Sequence, residues 1–336
     1  MSERKAKLGL AMLSLAAEPL RDGIETAREA QRLGYSCLWL PEVSGPDALV
    51  ALGALAMCTE TIELATGVVP IQIRTPAVLG TAFLTLNELS LGRAIAGLGV
   101  SSPVIVEQWH GASYRSPLTA MRECVAIMRQ LFDEGRVKFE GAIYRAQLRL
   151  RMPITQARRP RIYLAALNPP MLRLAGEIAD GVLLNYSPPE AVAEQVTVVR
   201  RAAQVHGRDP DELDYAVFAR MCVSDDAQAA RTAFKRELAT YAFVEAYQKM
   251  FARIGLDQEM AEVRRLWQAG QRDQAPMALS DASADKLGSF GPADRARDFI
   301  ARFRAAGITH PVVFPVGPTR TNRRDFLNTM RELASA

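Results

Sequence analysis

Apolar and polar positions along this chain follow two periods, and glycine or proline marks nearly every change from one to the other. Leu20, Ile24, Ala27 and Ala30 share one helical stripe, Gly34 follows them, and the uninterrupted run Cys37–Leu40 has the length of a buried strand. The order of helix, glycine and short apolar run returns at residues 175–184 around Gly181, and again at residues 296–315 around Gly307. Its densest form is residues 59–100. There Ile62, Leu64 and Ala65 make a strand that runs into Gly67-Val68-Val69-Pro70, and Pro76 opens a helix carrying Val78, Leu79, Ala82, Phe83, Leu86 and Leu89 at helical spacing. Gly92 ends that helix, and the apolar run 94–98 closes on Gly99. Continuous apolar strands separated by amphipathic helices describe a parallel sheet covered by helices, and ligands bind at the carboxyl ends of such strands.

Strands are predicted near residues 7–13, 36–40, 62–66, 93–98, 161–165, 182–185, 214–222 and 311–315, which makes the fold α/β and a (β/α)8 TIM barrel. With 336 residues and 49% apolar composition the chain can bury a large core, so residues 1–336 read as one domain. Two stretches exceed the barrel's minimum. Residues 99–117 lengthen the loop after the fourth strand, before a helix with Leu118, Met121, Val125, Met128 and Phe132 on one face. Residues 225–290, after the seventh strand, are largely helical by pattern and read as a lid or pocket wall, or else as added packing or a dimer surface.

Charge and cysteine usage narrow the function classes. The net charge of +4 is modest and its basic residues are interleaved with acidic ones, which argues against nucleic acid as a partner. The exception is residues 145–161, where Arg145, Arg149, Arg151, Arg158, Arg159 and Arg161 stand without an acid; this is a solvated loop and edge ribbon, or a docking lip for an anionic cofactor tail. Cys37, Cys58, Cys124 and Cys222 are scattered through apolar segments, as small core residues in a reducing cytosol would be. The start MSERKAKLGL has no signal-peptide core and no run is long and apolar enough to span a membrane, so a soluble cytoplasmic protein is expected. No Walker loop, HExxH, GxSxG or GxGxxG after a strand is present, which disfavours nicotinamide Rossmann enzymes, zinc enzymes and serine hydrolases, and no metal site is expected.

The pieces LGYSCLWLPE at 33–42, ETIELATGVV at 60–69, RTPAVLGTAFLTLNELSLGRAIAGLGVSSP at 74–103, WHG at 109–111, RPRIYLAALNPPMLRLAGEIADGVLLNYS at 159–187 and FGPADRARDFIARFRAAGITHPVVFP at 290–315 resemble, in order and spacing, the luciferase-like monooxygenase superfamily. Within it the chain is most similar to the coenzyme F420-dependent branch that includes methylenetetrahydromethanopterin reductase. The resemblance implies a cis Gly67-Val68 peptide in a bulge at the end of the third strand, backing one face of a flavin or deazaflavin ring. It assigns the cofactor's phosphate and ribityl chain to the turns Ala166, Leu167, Asn168 and Asn185, Tyr186, Ser187, each of which precedes a proline at a helix start. Gly99, Ser101 and Ser102 then border the ring, with serine hydroxyls in place of the family's usual carboxylate. Glu42 stands where the family often has an acid followed by histidine; here Val43 follows, and Glu42 is expected to orient the ring. Ala11 replaces a glutamate of the methanopterin reductases, which argues against methylenetetrahydromethanopterin as substrate. Glu107 and His110 on the long loop are the candidate replacement acids.

The function implied is an oxidoreductase that uses coenzyme F420 and moves a hydride between the cofactor's C5 and a small organic substrate, in a homodimer. An FMN-dependent monooxygenase is the alternative, and a barrel that binds flavin or deazaflavin without catalysis is a second one.

Overall fold

The computed structural model describes residues 7–12, 20–152, 154–156, 158–317 and 323–334; the MSERKA start and Leu13, at the end of the first predicted strand, lie outside them. Eight parallel strands form the centre: β1 (Gly9–Ala11), β2 (Cys37–Leu40), β3 (Glu63–Thr66), β4 (Ala94–Gly99), β5 (Arg161–Ala165), β6 (Gly181–Asn185), β7 (Asp214–Val223) and β8 (His310–Pro315). Each pairs with the next, and β8 pairs with β1, so the sheet closes into the expected (β/α)8 barrel.

Alternation within the strands sorts residues into two cores. Cys37, Trp39, Ala65, Ile95, Tyr163, Leu183, Ala216, Phe218, Val312 and Phe314 point into the barrel. Their neighbours Leu38, Leu40, Leu64, Ala96, Ile162, Leu164, Val182, Leu184, Val217 and Val313 pack outward against the helices. Charge collects at the amino end of the strands. Asp214 accepts from Lys7 at 2.8 Å, from Arg161 and from the Tyr163 hydroxyl, and Arg161 also donates to Glu63. Burial opposes ionisation of Asp214, but Lys7, Tyr163 and Arg161 prevail and hold its pKa at about 2. The basic stretch is thereby explained in part: Arg161 and Arg158 meet Glu63 at the end opposite the ligand-binding mouth, Arg159 pairs with Asp133, and Arg145 pairs with Glu140 inside a two-stranded ribbon. Residues 145–149 form one strand of this ribbon, whose tip reaches the loop after β3, where the Tyr144 hydroxyl donates to Ile71 O at 3.3 Å.

That ribbon, Arg136–Glu140 with Arg145–Arg149, is antiparallel and follows the helix Pro117–Glu134. Its tip is fixed by the buried Glu123 carboxylate, which accepts from the backbone N–H groups of Ala142, Ile143 and Tyr144 at 2.7, 3.0 and 2.8 Å. The insertion after β7 holds helices Ala227–Thr240, Glu245–Arg253, Asp257–Gln268 and Asp281–Leu287. It ends in a short strand, Gly288–Gly291, that pairs with the last four residues of β7. Phe234, Leu238, Met250, Phe251, Val263 and Phe290 belong to the same apolar cluster as Trp39 and Phe218, so the insertion roofs part of the barrel interior. No helix among the described residues is long and apolar enough to cross a membrane.

Candidate active site

The carboxyl end of β3 carries a bulge. Ala65 pairs with Ile95 and Val69 with Leu98, so Thr66, Gly67 and Val68 face only Ala96 and Gly97. The Thr66 hydroxyl fills the gap in the ladder: it donates to Gly97 O at 2.7 Å and accepts from Gly97 N–H at 3.0 Å. Side chains are excluded from this crossing. A Cβ on Gly97 would lie 1.8 Å from Thr66 O, and one on Gly67 would lie 2.6 Å from the Phe218 ring. The Gly67-Val68 peptide is cis, as the family resemblance implied. Gly67 therefore offers bare backbone to the barrel mouth above Phe218, a surface suited to a flat ring.

Glu42, just past β2, is held on both oxygens. Arg74 Nη1 donates to Oε1 at 2.5 Å and Nη2 to Oε2 at 3.1 Å, while Ala48 N–H donates to Oε2 at 2.9 Å. The last bond caps the helix Ala48–Ala56 beside Asp47, and Asp47 also takes Arg74 Nη2 at 2.6 Å. Hydrogen bonding and charge from Glu42, and then Asp47, raise the Arg74 pKa against the effect of partial burial. This arrangement joins the loop after β2 to the loop that follows the bulge. A carboxylate with both oxygens engaged is better placed to fix geometry than to shuttle a proton.

At the end of β4, Gly99 pairs with Pro70 and its carbonyl accepts from Ile71 N–H at 3.0 Å. Ser101 follows in the left-handed region with φ of 56°, half-buried, and Ser102 is buried with its Oγ accepting from Ile105 N–H at 3.4 Å. The chain then makes a π-helical turn, Val104–Trp109, a form that recurs at functional sites. Glu107 and His110 are both exposed on it, and Glu107 Oε1 accepts from Tyr114 N–H at 3.3 Å. Among the described residues no hydrogen bond joins either of them to Glu42.

The turns after β5 and β6 are tied to the insertion. Asn168 Nδ2 donates to Ala246 O at 3.1 Å and its Oδ1 accepts from Arg253 at 2.5 Å. Ala166 N–H extends the β5–β6 ladder to Leu183 O at 3.1 Å, and Leu167 packs on the interior cluster. Asn185 Nδ2 donates to the Tyr247 hydroxyl at 2.7 Å, and its Oδ1 accepts from Arg220. Tyr186, at φ of 51°, is buried and donates to Glu237, while the buried Ser187 donates to Asn185 O at 3.4 Å. The side chains of Asn168 and Asn185 are engaged within the protein, and the helix Pro169–Ile178 opens on two prolines that have no N–H, with Met171 N–H bonded to Asn168 O; behind Pro188 and Pro189, Glu190 supplies the first N–H of the helix Pro189–Val205.

Arg220 organises this side of the mouth. It is two residues past Phe218 on the same inward face of β7, and its Cζ lies 4.0 Å from the ring centres of both Tyr186 and Phe314. Its Nε is 3.4 Å from Glu237, so an insertion carboxylate meets a buried barrel cation. Burial alone would lower the Arg220 pKa; Tyr186 and Glu237 outweigh it and keep the guanidinium charged. Sequence reasoning passed over Arg220, although an arginine at an inward position of the apolar run DYAVFARMCV is itself a signal. Arg74 and Glu237 carried no such signal, because their partners are distant in sequence.

Comparisons with known proteins bear on the family and the fold. The family model described as luciferase-like monooxygenase matches residues 7–310. A Mycobacterium tuberculosis protein provisionally named a coenzyme F420-dependent oxidoreductase is 32% identical over 331 residues, covering 93% of this chain and 95% of that protein. A 5,10-methylenetetrahydromethanopterin reductase of Methanolobus tindarius is 33% identical over 65% of this chain and 66% of its own length. Among solved structures, the coenzyme F420-dependent tetrahydromethanopterin reductase of Methanopyrus kandleri superposes with a TM-score of 0.84 at 22% identity, covering 98% of this chain and 97% of that one, which bears on the fold.

Proposed function

Since the chain belongs to the luciferase-like monooxygenase family, we propose that it is a coenzyme F420-dependent oxidoreductase that transfers a hydride between the deazaflavin and a small organic substrate. The observation that carries this reading is the end-to-end likeness, at 32% identity, to a relative named for that cofactor. The site supports it. The bare backbone at Gly67-Val68 suits one ring face, Gly99, Ser101 and Ser102 suit its edge, and the backbone of the turns at residues 166–168 and 185–187 suits a phosphate. Bound there, the deazaflavin supplies a ring carbon able to give or take a hydride. The protein's share is to hold ring and substrate in line and to exclude water, with residues 225–290 as the wall over the mouth. Glu42, held by Arg74, keeps the ring-side loops in place, and Glu107 or His110 on the π-helical turn handles the proton.

The substrate we propose is other than methylenetetrahydromethanopterin. Ala11 is buried on the inward face of β1 and brings no carboxylate there. We also propose a homodimer, assembled through helices Ala48–Ala56 and Pro76–Leu89. The first has no charged residue and the second only Glu88, yet Val50, Met57 and Val78 on this pair are 73%, 70% and 54% exposed. The function is tested by titrating the purified protein with coenzyme F420 and with FMN. Binding of coenzyme F420 at about micromolar Kd or tighter, with weaker FMN, is expected. Tighter FMN binding would turn the reading toward a flavin monooxygenase.

A further inference from the structure

Gln72 sits between the bulge and Arg74. The rungs Val69 to Leu98 and Pro70 to Gly99, followed by the Ile71 N–H bond to Gly99 O, place it just beyond the carboxyl end of β4, where Ser101 and Ser102 begin the long loop. Its residue is only half-buried, yet both amide atoms, Nε2 and Oε1, are shut off from solvent and have no hydrogen-bond partner. Buried amides are rarely left unpaired, because a lost partner is not replaced by water. Other unpaired buried atoms, such as Trp39 Nε1 and His310 Nδ1, are single atoms of rings inside the barrel. Gln72 lacks a partner for its donor and its acceptor together, and it does so at the mouth.

A primary amide in this state is complementary to a group that presents a carbonyl beside an N–H. The pyrimidine part of a flavin or deazaflavin ring is such a group: its imide N–H lies between two carbonyls, so either orientation of the glutamine amide finds a match. We propose that Gln72 binds the imide edge of the ring cofactor, Nε2 donating to a ring carbonyl and Oε1 accepting from the ring N–H. This rests on the reading of the mouth as a ring-cofactor site and adds to it a residue that fixes the ring's in-plane position. The amide also fits the location, since a ring lying on Gly67-Val68 would extend toward the end of β4.

The test is a fluorescence titration of full-length wild type, Gln72→Leu and Gln72→Met with coenzyme F420 and with FMN, alongside thermal unfolding of the unliganded proteins. Losing both bonds should weaken cofactor binding by about tenfold or more. Unliganded stability should stay level or rise, because an unpaired amide is removed. A flavin methylated at the imide nitrogen, which cannot donate there, should bind wild type more weakly than FMN does while losing little in Gln72→Leu. Tight wild-type binding that neither substitution changes would overturn this inference alone. Failure of the wild type to bind either cofactor would overturn the functional reading and this inference with it.

Discussion

Replacing Glu42 by Gln keeps the side-chain shape and removes the charge. In the best orientation the new carbonyl stands where Oε2 was and retains Ala48 N–H and Arg74 Nη2, while the amide NH2 is turned toward Arg74 Nη1, donor against donor. One bond is lost and one loses its charge assistance. Charged hydrogen bonds contribute about 1.5–3 kcal/mol, and the loss belongs at the lower end because Arg74 keeps Asp47 at 2.6 Å and its side chain is 19% exposed. About 2 kcal/mol is therefore expected, a fall in Tm of no more than about 4 °C for a chain of this size. The assay is single-turnover oxidation of bound reduced deazaflavin in Glu42→Gln, Glu107→Gln and His110→Ala, with cofactor affinity and Tm measured separately. If Glu42 orients, its variant keeps its rate within about tenfold; if it carries the proton, the rate falls by about 10²–10⁴-fold with binding little changed. A large loss of rate confined to Glu42→Gln, with affinity intact and Tm lowered by no more than about 4 °C, would refute the orienting role.

Three further outcomes follow from the fold and site. His310 is fully buried at the start of β8, where burial first, and then Lys7 and Arg161, push its pKa down to about 3 against the opposing pull of Asp214. The unfolded chain takes up that proton near pH 6.5 and the folded one does not, so this contribution to stability is present above pH 6.5 and is lost toward pH 3 at about 1.4 kcal/mol per pH unit. His310→Asn should flatten the dependence of the urea midpoint on pH between these limits, and an unchanged slope would count against it. At the bulge, Thr66→Val removes both bonds to Gly97 and should cost about 1–3 kcal/mol in chemical denaturation, whereas Gly97→Ala, driven against Thr66 O, should not give a folded protein at all. Placing lysine at Val50 and Met57 should convert the proposed dimer to monomer in light scattering; a monomeric parent would remove the proposed interface.

Much of the barrel was legible because buried parallel strands are short apolar runs and their helices stop at glycine. Cys37–Leu40 and Arg161–Ala165 fell where the pattern put them. Gly288–Gly291 did not show itself: its residues GSFG carry no apolar run, and it is a strand only because the upper part of β7 offers an open edge. The ribbon at 136–149 was hidden similarly, its strands rich in exposed charge and its tip fixed by Glu123 from a neighbouring helix. In the site, the bulge was legible through the family pattern around Gly67-Val68. The side-chain commitments of Glu42, Asn168 and Asn185 were not, because Arg74, Arg253, Tyr247 and Arg220 reach them from elements 32, 85, 62 and 35 residues away. Turns that look like free phosphate cradles in one dimension are fastened to the insertion in three.

The central claim, a deazaflavin that exchanges hydride with an organic substrate in this mouth, is tested most directly by following the hydride. Reduced coenzyme F420 carrying deuterium at both C5 positions is mixed with the enzyme and a panel of ketones, enones and imines, and products are read by mass spectrometry. The account predicts one deuterium on carbon per cofactor oxidised, without any need for oxygen. Product that forms only with reduced FMN and oxygen, or cofactor oxidation that leaves no deuterium in any product, would contradict it.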